Sequence, residues 1–162
     1  QRQMCIRDRH LDKELISRSK HTYILDGDNL RLGINKNLGF SEADRTENIR
    51  RTAEVANLFA KAGFIVLVSL ISPYRSERKK ARDIRPEIFR EIYIEASLEV
   101  CSKRDVKGLY AKAMKGEIKN FTGISSPYEP PEMPNLIINT TKCSIEESVK
   151  KLEKYILKEF SF

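Results

Sequence analysis

Apolar residues along the chain fall into four short runs that are separated by polar segments. The runs are Thr22–Leu25, Phe64–Val68, Phe89–Ile94, which also contains Arg90 and Glu91, and Leu136–Ile138. Each is rich in β-branched or aromatic residues and is too short for a typical helix, so each predicts a strand. The run at 64–68 is apolar at every position, which is typical of a parallel strand covered on both faces.

Helical patterns lie between these runs. Ser41 can cap a helix whose apolar residues recur at helical spacing until Gly63, and Ser144 starts a capping box before the last helix. Two shorter polar helices are predicted at residues 76–85 and 97–103. Because strands and helices alternate, the expected fold class is α/β with a mostly parallel sheet. Ligands bind beyond the carboxyl ends of the strands in such sheets.

The composition indicates one domain. The chain has 162 residues, of which 40% are hydrophobic and 33% are charged, and this suits a single core. The longest apolar stretch, residues 64–71, is far shorter than the roughly 20 residues that span a bilayer. We see no secretory signal and expect a cytoplasmic protein without a membrane partner. Cys5, Cys101 and Cys143 show neither metal-binding nor disulfide spacing, which predicts reduced thiols.

The net charge of +7 favours anionic partners. Nucleotides, sulfate esters, nucleic acids and acidic surfaces all remain possible on charge alone. Acidic residues are interspersed with the basic ones, as on a solvated surface, and this argues against a dedicated nucleic-acid stripe. We therefore expect no nucleic-acid partner, although a basic nucleic-acid binder remains an alternative.

Polar residues with possible chemistry follow the first predicted strand. Asp26, Asp28 and Arg31 lie within six residues of each other. Aspartate and asparagine favour turns and helix caps for local hydrogen-bonding reasons, so a capped turn is one interpretation. In the other, Asp26 or Asp28 polarises a hydroxyl group or holds the water shell of Mg²⁺, and Arg31 binds an anion.

Ordered motifs give this segment a more specific interpretation. They are DGDNLR, LGINKNLGFSEADRTENIRR, ISPYR, RDVKGLYAKAMKGEIKNFTGI and SPYEPPEMPNLIINT. In order and spacing they resemble the adenylyl-sulfate (APS) kinase family over roughly residues 20 to 160. The resemblance implies a P-loop-kinase-like three-layer sandwich. It also implies transfer of the ATP γ-phosphate to the 3′-hydroxyl of APS, giving 3′-phosphoadenylyl sulfate in sulfate assimilation.

The resemblance also implies site residues. Arginines suit the phosphosulfate because guanidinium groups offer planar, paired donors, and aromatic rings suit the adenine because they stack on it. The implied APS-binding residues are Asp28, Arg31, Phe40, Arg45, Asn48, Ile71, Ser72, Lys107, Asn120 and Phe121. Arg104 and Cys143 correspond to ATP-binding positions. Asp26 is preferred over Asp28 as the carboxylate near the 3′-hydroxyl, and it would hold Mg²⁺ through water. Asp26, Asp28 and Ser72 are the catalytic candidates.

Two of these assignments keep alternatives. Ser72 matches a family position assigned as a phosphoserine intermediate, but direct in-line transfer needs no covalent step, and a structural turn explains the residue equally well. Residues 104–134 are basic and then proline-rich, as expected of a lid that closes over phosphates. Within that segment Lys112 and Lys115 could instead lie on a solvated helix face.

The beginning of the chain departs from the family pattern. No GxxxxGK motif is present, and the first glycine is Gly27. That motif holds the phosphates of ATP. Residues 10–20 resemble only the latter part of the family's first helix, and residues 1–9 match nothing in it. We therefore interpret residues 1–9 as a non-native leader or tail and residues 10–162 as an APS kinase-like domain whose first strand and phosphate-binding loop are absent.

Several hypotheses follow for function and partners. An APS kinase lacking its phosphate-binding loop is expected to be almost inactive. The alternatives are a non-catalytic fragment that binds APS or nucleotide, and another small-molecule kinase of the same fold. The family resemblance also implies a homodimer and a functional link to ATP sulfurylase.

Overall fold

Strands and helices alternate along most of the chain, as the pattern of apolar residues predicts. The computed structural model describes residues 2–105 and 108–160. The helices are α1 (Arg2–Ser17), α2 (Gly27–Leu32), α3 (Glu42–Lys61), α4 (Arg75–Ile84), α5 (Leu98–Lys103), α6 (Leu109–Met114) and α7 (Ile145–Glu159). The strands are β1 (Thr22–Asp26), β2 (Ile65–Ser69), β3 (Ile92–Glu95) and β4 (Leu136–Asn139). All four predicted strands are present.

The strands pair in parallel, which confirms the predicted strand direction. In one pair β1 lies beside β2, with Thr22 opposite Ile65 and Asp26 opposite Ser69. In the other β3 lies beside β4, starting with Ile92 opposite Leu136. Among the described residues the strands form two separate pairs. A mostly parallel sheet without the family's first strand was expected, and no described strand joins β2 to β3.

Helices cover both faces of the first strand pair. On one face α1 packs against α7, β1 and β2, and on the other face α3 packs against β1 and β2 while α4 packs against α3. The core on the α1 side consists of buried apolar residues, which are Leu11, Leu15, Ile138, Val149, Leu152 and Ile156. Each such side chain contributes about 1.5–3 kcal/mol by leaving water. Partly buried residues of β2, β3 and β4 pack on this cluster, so both strand pairs share one core.

The residues that were predicted to begin or end helices do so in the structure. The hydroxyl oxygen of Ser41 accepts a hydrogen bond from the backbone N–H of Asp44, and Ser144 forms a reciprocal capping box with Glu147. Gly63 follows α3 with φ of +90°, a conformation that is costly for other residues. Helix α2 was not predicted. Helix α6 agrees with the alternative of a solvated helix, because Lys112 lies on it and is exposed, and Lys115 follows directly after its end. Each of the two helices has six residues, fewer than two turns, so neither displays a clear helical period in the sequence.

The first helix continues through the segment that we interpreted as a leader. Residues 2–9 belong to α1, with no break at residue 9. Arg7 is buried, and the carboxylate of Asp8 accepts a hydrogen bond from the hydroxyl of Ser69 at the end of β2. A helical conformation does not reveal the origin of a segment, so the non-native leader stays a prediction. None of the described helices has the length and apolar character needed to cross a membrane.

Candidate functional site

A cleft lies beyond the carboxyl ends of β1 and β2, where a ligand is expected in this fold class. Its empty space is about 430 Å³ when the open mouth is included. Seven of the residues implied by the resemblance line it, namely Asp28, Arg31, Phe40, Arg45, Asn48, Ile71 and Ser72. Gly27, Ile49, Leu70 and Pro73 complete the lining. Residues from four separate sequence segments therefore meet at one place.

The acidic residues lie at the start of α2. The Asp26 carboxylate accepts hydrogen bonds from the backbone N–H groups of Asp28, at 2.8 Å, and Asn29, at 3.3 Å, so it caps the helix. The interpretation of this segment as a helix cap is thus confirmed. Asp28 lines the cleft. No group of three or more metal-ligating side chains occurs in residues 2–105 and 108–160. Mg²⁺ commonly uses one or two carboxylates together with water and phosphate oxygens, so Asp26 fits a water-mediated role.

Two arginines flank the exposed ring of Phe40. The Arg31 guanidinium lies 4.5 Å from the ring centroid and donates to the carbonyl oxygens of Leu38 and Gly39, the latter at 2.7 Å. The Arg45 guanidinium lies 5.7 Å from the same centroid. Burial lowers the pKa of Arg45, and the neighbouring positive charge of Arg31 also lowers it. The two cations therefore form a concentrated positive charge beside an aromatic face.

Arg45 also joins the cleft to the predicted lid. Its Nη2 donates to the Asn120 carbonyl oxygen at 2.7 Å, and its Nε donates to the Phe40 carbonyl oxygen at 3.1 Å. The next lid residue, Phe121, packs edge-on against Tyr110, with ring centroids 4.9 Å apart. Asn120 and Phe121 thus approach the cleft through Arg45 but do not line it. Lys107 lies outside the described residues.

The turn that carries Ile71 and Ser72 is strained and held by an arginine that we did not predict. Ser72 has φ of +43°, an uncommon conformation for a non-glycine residue. Its carbonyl oxygen accepts a 2.7 Å hydrogen bond from Arg78. The Arg78 guanidinium also donates to the Glu129 carbonyl oxygen at 2.7 Å and pairs with Glu91 at 2.6 Å. Arg78 therefore ties the Ser72 turn to the start of β3 and to the end of the lid segment.

The two residues assigned to ATP lie near the end of β4 and do not line the cleft. Arg104 donates to the hydroxyl and carbonyl oxygens of Thr140, at 3.2 and 2.9 Å. Cys143 follows in the same loop, and its Sγ lies 3.0 Å from the Nζ of Lys151. Arg104 and Cys143 thus belong to one region, which is separate from the residues that line the cleft.

The family model for adenylylsulphate kinase matches residues 7–139. The chain belongs to the adenylylsulphate kinase family. The match covers the cleft, the Arg78 network and the whole of the predicted lid. It also begins two residues before the end of the predicted leader.

Individual relatives agree with this membership. The adenylyl-sulfate kinase of Clostridium acetobutylicum is 52% identical over 146 residues, which cover 90% of this chain and 73% of that protein. The bifunctional enzyme NodQ of Rhizobium sp. strain N33 is 54% identical over 90% of this chain, but this chain spans only 23% of its length. The solved APS kinase of Mycobacterium tuberculosis, in complex with AMPPNP and APS, superposes with a TM-score of 0.87 at 44% identity. That match covers 90% of this chain and 86% of the solved one, and the predicted P-loop-kinase-like fold is confirmed.

Two polar residues near the cleft have no counterpart among the residues that we predicted. They are Arg78, which is partly buried, and Asn35, which is fully buried and contacts Asn48 through its side chain. In the sequence both occur among charged or polar neighbours, which resemble a solvated surface. Only the three-dimensional contacts reveal that they are shielded from solvent.

Proposed function

We propose that this chain is the APS-binding portion of an adenylyl-sulfate kinase, an enzyme that transfers the γ-phosphate of ATP to the 3′-hydroxyl of APS. The observation that carries the proposal is the convergence of Arg31, Arg45 and Phe40 on one cleft at the carboxyl ends of parallel strands. Two cations and an aromatic face fit a ligand that joins an anionic phosphosulfate to a flat base. The relatives that act on or bind APS support the same substrate.

Each wall of the cleft has a proposed role. Arg31 and Arg45 bind the phosphosulfate, and Asn48 binds an oxygen of the ribose or the phosphosulfate. Phe40 stacks on the adenine from one side, and Phe121 covers the other side when the lid closes. Backbone groups of Ile71 and Ser72 contact the nucleotide. The resemblance adds Lys107 and Asn120 to this set.

The acidic end of the cleft carries the proposed phosphoryl-transfer chemistry. Asp28 lines the cleft whereas Asp26 caps α2, so we propose Asp28, in place of Asp26, for orienting the 3′-hydroxyl. Asp26 would hold Mg²⁺ through water, and the ion would neutralise charge on the phosphates of ATP. We propose direct transfer between the two nucleotides, with Ser72 serving as a strained turn rather than as a nucleophile. Arg104 and Cys143 would border the ATP.

We propose that these 162 residues bind APS but turn it over poorly. They contain no GxxxxGK motif, whose amides and lysine hold the β- and γ-phosphates. The Asp8 carboxylate accepts a hydrogen bond from Ser69, which lies opposite Asp26 in the strand pair, so the two carboxylates are neighbours. Burial, the largest cause, raises the pKa of Asp8 to about 6, so its carboxyl group is mostly ionised at pH 7. A second negative charge near Asp26 opposes the binding of phosphates there.

Turnover is tested by joining a family-type strand and GxxxxGK loop to the chain. The 162 residues alone should show almost no conversion of APS with ATP, and the joined protein should show robust conversion. Robust activity of the unmodified chain would contradict the proposed need for the loop.

We also propose a homodimer, a cytoplasmic location and a functional link to ATP sulfurylase. Sedimentation tests the homodimer.

The binding proposal is tested by calorimetry with APS and AMP. APS should bind at least about tenfold more tightly, because its sulfate adds charge-assisted hydrogen bonds that AMP cannot make. Arg45→Lys should reduce this preference because lysine lacks the paired donors of arginine. The matched control is Arg50→Lys, which lies on the same helix in an exposed pair with Glu47. Equal affinities for APS and AMP would remove the basis for the assignment.

A further inference from the structure

Asn35 is a fully buried polar residue in the turn between α2 and α3. Its side chain and backbone together expose 0% of their surface. The Asn35 backbone N–H donates to the Leu30 carbonyl oxygen at 2.8 Å, and the Asn35 carbonyl oxygen accepts from the Leu38 N–H at 3.0 Å. These bonds fix the backbone of the residue on both sides, so its side chain emerges in a defined direction.

The side chain of Asn35 is directed at Asn48, which lines the cleft. Asn35 Nδ2 donates to Asn48 Oδ1 at 3.0 Å. The backbone of Asn48 is also held, since its carbonyl oxygen accepts a 2.7 Å hydrogen bond from the buried hydroxyl of Thr52. With Oδ1 engaged, the Nδ2 group of Asn48 is the free end of the amide. No described residue accepts a hydrogen bond from it.

The arrangement of Asn35 lowers the stability of the folded state, and good packing of the turn does not require it. Asn35 Oδ1 is buried and accepts no hydrogen bond from the described part of the chain. A buried acceptor without a partner destabilises the folded state, whereas a leucine of similar size would not. If both amides were turned over, Asn35 would instead bury an unpaired NH₂ group, which is less tolerable than an unpaired oxygen. The direction of the hydrogen bond from Asn35 to Asn48 is therefore favoured.

We propose that Asn35 is a positioning residue that holds the Asn48 amide with its NH₂ group facing the cleft, as a donor to an oxygen of the bound substrate. An anionic substrate needs donors on this wall, and an unrestrained asparagine could present either its oxygen or its nitrogen. The inference rests on the proposed function, because it assigns the orientation of one side chain in the same APS site.

The test compares APS affinity by calorimetry in wild type and Asn35→Leu. The variant removes the donor that orients Asn48 and also removes the unpaired oxygen. We expect APS binding to weaken about tenfold, the equivalent of one hydrogen bond to a charged group, while the melting temperature stays the same or rises. The matched control is Asn57→Leu, because Asn57 lies on α3 and also has a buried, unpaired Oδ1. This control should not change APS affinity.

A double-mutant cycle separates positioning from general disruption. In an Asn48→Ala background, Asn35→Leu should cause no further loss of APS affinity. A tenfold loss that persists there, or unchanged affinity in Asn35→Leu alone, would overturn the inference. If the leucine variant fails to fold, Asn35→Ser serves instead, and the same outcomes apply. Wild-type protein that does not bind APS would overturn the proposed function itself, and the inference with it.

Discussion

Arg78 offers the most direct test of how the cleft is supported. It lies on α4, and its side chain is only 11% exposed. Replacing it with alanine removes an ion pair with Glu91 and the donors to the carbonyl oxygens of Ser72 and Glu129. All three partners belong to segments that are distant in sequence from one another. The substitution should therefore loosen the Ser72 turn, the start of β3 and the end of the lid segment together.

The expected loss can be worked out from the partners that remain. A hydrogen bond to a charged group contributes about 1.5–3 kcal/mol, and breaking a buried ion pair costs about 3–5 kcal/mol when one charge is left alone. Glu91 keeps a second partner, because Arg82 lies 2.9 Å from its other carboxylate oxygen. The full penalty of an isolated charge is thus avoided. We expect Arg78→Ala to lower the free energy of unfolding by about 3 kcal/mol, and the melting temperature by roughly 6–12 °C for a chain of this size.

Thermal and urea unfolding followed by circular dichroism measure this loss. The matched control is Lys79→Ala, on the same helix, which removes an exposed pair with Asp83 whose side chains are 74% and 56% exposed. Such pairs contribute about 0.5 kcal/mol or less. APS affinity should fall in Arg78→Ala at temperatures where the protein stays folded, because the Ser72 carbonyl is no longer held. A variant within about 1 kcal/mol of wild type would refute the assigned network.

Three further predictions concern other parts of the chain. Because burial raises the pKa of Asp8 to about 6, the folded state binds this proton more tightly than the unfolded state. The protonated Asp8 carboxyl therefore stabilises the fold fully below about pH 4, and this stabilisation is lost as the pH rises through 6. In urea titrations Asp8→Asn should be more stable than wild type by about 2 kcal/mol at pH 7 but not at pH 4. Ser144→Ala should cost about 1 kcal/mol because the capping box with Glu147 is lost, and an unchanged urea midpoint would contradict this. Phe121→Ala should weaken APS binding by roughly 1–3 kcal/mol in calorimetry with little change in melting temperature. A large loss of stability with unchanged affinity would instead make Phe121 a core residue.

Local signals were sufficient to predict the long elements of the fold. Helix α3 has a cap at Ser41 and a glycine at its end, and both act through groups within a few residues of each other. The strands were recognisable because each has at least three consecutive apolar residues in a segment too short for a typical helix. Helix α2 escaped prediction, and α6 was only an alternative, because six residues are too few to display a clear helical period. The start of α2 is the cap that Asp26 provides to Asp28 and Asn29, which also suits an ordinary turn.

The site was predictable only as far as the family motifs reach. These motifs identified the residues that line the cleft, whereas the fully or partly buried residues that hold them were missed. Asn35 lies in a polar turn and Arg78 lies in a highly charged helix, so both resemble solvated residues in the sequence. Their burial arises from contacts with Asn48, Ser72, and Glu91, which are 13, 6 and 13 residues away. No periodicity within one element can indicate such contacts.

The hydrogen bonds that the two cleft arginines already make limit how much affinity each arginine can add for a ligand. Arg31 and Arg45 already donate to backbone carbonyl oxygens, so a ligand that displaced those bonds would gain only the difference between an anionic and a neutral acceptor. Arginine has five N–H donors, and Arg45 uses one on Phe40 and one on Asn120. It can therefore bind an anion with its remaining donors while it still holds the lid. One guanidinium then contacts both the bound anion and the lid, so we expect substrate binding and lid position to be coupled through Arg45. A lysine at this position has a single ammonium group and should support the contact to the anion or the contact to the lid, but not both.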